Sequence, residues 1–162
     1  MTIILDFDGT CVTNDFPRIG KEIGAIPVLK RLQERGHKIV LFTARADDMD
    51  NEFFQGNFLT DAVNWFTENG IKLYGINNNP DNDDLGYTRK VTGDVVIDDM
   101  AIGAPLTTNH HISAKPFIDW DKVEYILDAM GYFEPTLYEH YGICDKCLSV
   151  DCKCNFRDFT KH

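Results

Sequence analysis

Hydrophobic and polar positions alternate in blocks along the chain. Thr2 to Leu5 is a β-branched, apolar run that stops at a carboxylate and a glycine, as a buried strand does at a sheet edge. From Ile23 to Arg35 the residues Ile23, Ile26, Leu29 and Leu32 recur at three-residue steps with charges between them, and Gly36 follows as a stop signal, which predicts an amphipathic helix. His37 to Thr43 reads as a second buried strand. A second helix, with Phe58, Leu59, Ala62, Val63 and Phe66 on its apolar face, ends at Gly70. Ile71 to Ile76 is predicted as a third strand, Asn77 to Gly86 as loop, Asp94 to Ile97 as a fourth strand ending in carboxylates, and Asp121 to Met130 as a last helix stopped by Gly131.

Strands alternating with helices at this spacing predict a parallel sheet with helices on both faces and a ligand site where strand ends meet loops. A chain of 162 residues, 43% hydrophobic, has material for one core plus an appendage. Its character changes after about Glu134, which divides it into a catalytic domain over 1–133 and a cysteine-rich tail over 134–162. The start, MTIILDFDGT, carries no basic leader, and no stretch approaches the ~18 apolar residues of a membrane span, so a soluble, cytoplasmic protein with no membrane partner is expected. The formal net charge of −10 argues against nonspecific nucleic-acid binding, which needs clustered Lys and Arg.

The chemistry concentrates at strand ends. Asp6 and Asp8, two apart at the end of the first strand, are expected to lean the same way while Phe7 enters the core. Gly9 permits a tight turn and leaves room for an anion beside Thr10. One carboxylate of such a pair can attack phosphorus while its neighbour protonates the departing oxygen and then activates water. A phosphate dianion would be repelled unless a hard cation lay between, and Mg²⁺ suits carboxylate, carbonyl and water oxygens. Asp98 and Asp99 supply further acid at another strand end, and Thr43 and Lys90 offer a hydroxyl and a cation for the phosphate.

DFDGT at Asp6 to Thr10, VLFTAR around Thr43, Lys90 upstream of VVIDD, and VVIDD itself resemble the four ordered motifs of the haloacid dehalogenase superfamily over roughly residues 1–120. The resemblance implies a three-layer, Rossmann-like parallel sheet. It implies Asp6 as nucleophile, Asp8 as acid/base with its carbonyl on magnesium, Thr43 and Lys90 on phosphate, Asp98 on the metal, and Asp99 supporting the metal directly or through water. Arg89 and Lys72 compete with Lys90 for the cationic role. The expected activity is hydrolysis of phosphate monoesters through an aspartyl-phosphate. Its alternatives are phosphoryl transfer to another acceptor, or an idle binding module that recruits a protein or nucleic acid through the tail. Caps in this superfamily are inserted after the first motif or between the second and third. Neither interval here holds another core, which predicts an open site and favours substrates larger than a simple metabolite, such as a macromolecule's phosphorylated end.

Other polar features carry plainer readings. Asp81, Asp83 and Asp84 look like a solvated loop, Cys11 like a small buried filler, and His110 and His111 like surface residues near the site. Arg45 either contacts substrate or caps a surface loop. In the tail, Cys144, Cys147, Cys152 and Cys154 form CxxC and CxC pairs, a set of four thiolates able to hold structural Zn²⁺, with His140 or His162 as substitutes.

Overall fold

The computed structural model describes residues 1–47, 55–85 and 90–134. The chain divides into two compact units, Met1–Tyr132 and Phe133–His162. Of the second, only residues 133 and 134 are described, so the four tail cysteines lie outside the described residues.

The first unit is an α/β fold. Strands β1 (Thr2–Leu5), β2 (Lys38–Leu41), β3 (Gly75–Ile76) and β4 (Val95–Ile97) form one parallel sheet in the order β3-β2-β1-β4. Ile4 stands beside Val40 on one side and Val96 on the other. All four residues of β1 are buried, which is why the run is apolar without alternation. Three helices accompany the sheet: α1 (Ala25–Glu34), α2 (Phe58–Glu68) and α3 (Trp120–Ala129). Phe7, fully buried as expected, meets Trp65 and Phe66 of α2 with ring centroids 5.5 and 5.6 Å away. Arg31 and Glu124 join α1 to α3. Among the described residues, no helix is long and apolar enough to cross a membrane.

Several predicted elements shift. The buried stripe of α1 is Ala25, Val28, Leu29 and Leu32, at steps of three and four, rather than the Ile23-Ile26-Leu29-Leu32 series; Ile26 is only half-buried. The third strand shrinks from six residues to two because Lys72 exchanges two hydrogen bonds with the Gln33 side chain of α1, and its backbone is unavailable to β2. The segment Pro80–Leu85, expected as loop, is a 3₁₀ helix fastened by Asp81 to Lys38 and to the Tyr74 hydroxyl. Strands β5 (Leu106–Thr107) and β6 (Phe117–Ile118), an antiparallel pair, are too short to leave a periodic signal.

Candidate active site

The site is assembled where β1 and β4 end. The Asp6 amide continues the ladder by donating to Ile97 O at 3.0 Å. The chain then turns: the amides of Cys11 and Val12 donate to Phe7 O, and Gly9 adopts φ 85°, a left-handed conformation that glycine accepts without strain. A Cβ on Gly9 would stand 2.4 Å from Asp99 Oδ2. The space left by the missing side chain is therefore taken by a carboxylate, where the sequence had suggested an anion of the substrate. Thr10 Oγ1 accepts from the Asp99 amide at 3.0 Å, and the Trp120 indole donates to Thr10 O at 2.7 Å. Gly9 and Thr10 thus bind the two strand ends and α3 together.

Asp6, Asp98 and Asp99 offer carboxylate oxygens that all lie within 4.8 Å of one another. Burial, reinforced by Asp98 and Asp99, pushes the Asp6 carboxyl up to about 7, against the opposing effects of the Phe7 amide and Thr10. Asp99 is also raised, by burial first and then by Asp98 and Asp8; its own amide and the charge of Lys115 pull the other way. Three half-buried acids in mutual repulsion could hold a hard divalent cation, whose charge would relieve both burial and repulsion.

The Asp8 carboxylate is held by a guanidinium: Arg45 Nε and Nη2 donate to its two oxygens at 2.6 Å each. Asp8 lies outside the group of three carboxylates. Arg45 itself is 2% exposed. Its remaining donors reach Pro17 O and Arg18 O, and its guanidinium lies 5.1 and 5.3 Å from the Phe7 and Phe16 rings. Through these bonds Arg45 fastens the loop of residues 13–21 to Asp8.

Thr43 lies just beyond β2. Its amide donates to Asn77 Oδ1 at 2.8 Å, and its hydroxyl accepts from the Arg45 amide at 3.2 Å. Asn77, at φ 52°, occupies a left-handed position that asparagine tolerates, and its amide donates to Leu41 O. This support was not read from the sequence, although an asparagine directly after a strand is its visible trace. Lys90 is exposed, and its carbonyl accepts from the Asn82 side chain; Arg89 lies outside the described residues. Lys72 pairs with the C-terminal turn of α1, which leads into the amino end of β2, so it is remote from the carboxyl ends. Cys11 is fully buried, with its thiol pushed up by burial and its Sγ donating to Asp6 O at 3.3 Å. His110 and His111 are exposed.

Comparison with protein-family models and with curated proteins finds no match. Among solved structures, one described as a conserved protein from Bacteroides thetaiotaomicron is similar at a TM-score of 0.61 and 30% sequence identity, over 87% of this chain and 97% of that one.

Proposed function

The chain belongs to the same family as that conserved Bacteroides thetaiotaomicron protein, and we propose that its site is that of a magnesium-dependent phosphohydrolase acting on phosphate monoesters. The observation that carries this reading is the convergence of Asp6, Asp98 and Asp99 oxygens within 4.8 Å at the carboxyl ends of adjacent parallel strands. Parallel β1 and β4, with DFDGT and VVIDD at their ends, support the finer assignment to a Rossmann-like arrangement of the haloacid dehalogenase type.

Bound by Asp6, Asp98 and Asp99 together with the Asp8 carbonyl, Mg²⁺ would neutralise these acids and polarise the phosphate oxygens. An Asp6 oxygen attacks phosphorus, the bond to the leaving oxygen breaks, and an aspartyl-phosphate forms on Asp6. Asp8 gives a proton to the leaving oxygen and later takes one from the attacking water, which requires one of its oxygens to leave Arg45. The Thr43 hydroxyl and a lysine hold the remaining phosphate oxygens. In the tail, Cys144, Cys147, Cys152 and Cys154 are proposed to hold structural zinc.

A phosphate-ester panel run with EDTA and then with Mg²⁺ tests the reading. Turnover should vanish and return, and Asp6→Asn should lose at least about 10³-fold in kcat while keeping its melting temperature, as removal of a covalent nucleophile entails. Full activity in metal-free protein, or in folded Asp6→Asn, would defeat it.

A further inference from the structure

The register of the sheet carries past its last paired residues. The Asp6 amide donates to Ile97 O at 3.0 Å, the Phe42 amide to Leu5 O at 2.8 Å and the Asn77 amide to Leu41 O at 2.7 Å. Leu5 stands beside both Leu41 and Ile97, and Leu41 beside Ile76, so these bonds set Asp98, Asp6, Phe42 and Asn77 in one row across the carboxyl edge. Asn77 thus shares that edge with the acids, although the chemistry assigned to them gives it no part.

The turn that presents Asn77 is fixed on both sides. A Cβ on Gly75 would collide with Asn78 O, so the chain folds back there more closely than any side chain allows. Asn79, which is buried, donates from Nδ2 to Thr92 O at 2.7 Å and accepts at Oδ1 from the Asp81 amide at 3.0 Å. Between them, Asn77 alone of the described non-glycine residues has a positive φ, 52°. Such a conformation persists where its surroundings over-determine it, and it marks strand ends and loops that serve a site. The Asn77 side chain then crosses to β2, where Oδ1 accepts from the Thr43 amide at 2.8 Å. A main-chain N–H can bond only the oxygen of a carboxamide, which fixes the orientation of this one. Thr43 is therefore held at its nitrogen by Asn77 and at its hydroxyl oxygen by the Arg45 amide, 3.2 Å away. The hydroxyl's own hydrogen has no acceptor among the described residues.

Resting on the hydrolase reading, we propose that Asn77 is a positioning residue for phosphate. It fixes the main chain of Thr43 so that the Thr43 hydroxyl keeps its hydrogen for a phosphoryl oxygen held at the three acids. A donor set in place before the ligand arrives loses no freedom on binding, whereas a loose one must be ordered each time.

Glycine at position 77 separates the side chain from the backbone, since it accepts φ 52° without strain. In the full chain, Asn77→Gly should melt within about 5 °C of the wild type. With Mg²⁺ bound it should hold orthophosphate about tenfold more weakly by calorimetry. In a Thr43→Val background, where the donor is already gone, the same substitution should change phosphate affinity less than about twofold. Wild-type affinity in Asn77→Gly would overturn the proposal, as would an equal loss with and without the Thr43 hydroxyl, the mark of a merely structural role. A glycine variant that does not fold, or a wild type that binds no orthophosphate, would contradict it as well. The hydrolase reading fails on a separate observation, undiminished turnover in folded Asp6→Asn.

Discussion

At the residue scale the decisive quantity is the proton affinity of Asp6. Its carboxyl is pushed from an ordinary 3.8 up to about 7, mainly by burial. The fold therefore prefers Asp6 protonated, and between these values the native state binds more protons than the unfolded chain. Stability associated with Asp6 is complete below pH 3.8 and is lost as pH rises through 7, by about 4 kcal/mol at about 1.4 kcal/mol per pH unit. Melting temperatures of metal-free protein should fall between pH 4 and 7.5 relative to Asp6→Asn, whose amide does not titrate. Adding Mg²⁺ at pH 7.5 should restore the wild type far more than the variant. Parallel pH profiles for the two proteins would show that Asp6 is not held in this strained state.

At the element scale, one buried arginine governs how the loop of residues 13–21 meets the sheet. Arg45 makes four hydrogen bonds to Asp8, Pro17 and Arg18, and so ties the chain just past β2 to the loop's middle. Arg45→Met would retain the packing against Phe7 and Phe16 but leave the mostly buried Asp8 carboxylate uncompensated. Removing one partner of such a pair costs about 3–5 kcal/mol. Denaturant unfolding should register that loss, and limited proteolysis should cut first within residues 13–21. A variant as stable and as protease-resistant as the wild type would remove Arg45 from this role. The VLFTAR motif placed Arg45 near the site, but its function as a clamp depends on Pro17 and Arg18 carbonyls, and main-chain acceptors carry no sequence signature.

At the scale of the whole molecule, the legible part of the chain is the part in which local pattern and tertiary burial coincide. Thr2 to Leu5 could be read as a strand because its burial on both faces requires an apolar run, and the acids at its end were visible because a strand end has no packing need for them. Ile71 to Leu73 misled because their apolar character serves contacts other than the β ladder, with Lys72 tied to Gln33. Strands β5 and β6 were invisible for a different reason: two-residue strands leave no periodic signal, although β6 sets the Ile118 amide against Gly9 O. The most direct test of the account is chemical trapping of the acyl phosphate. Full-length protein turning over a phosphate ester with Mg²⁺ would be quenched in acid, reduced with borohydride and digested for mass spectrometry. Homoserine at position 6, dependent on both substrate and metal, is the result expected; steady turnover with aspartate intact at that position under the same quench would contradict covalent catalysis by Asp6.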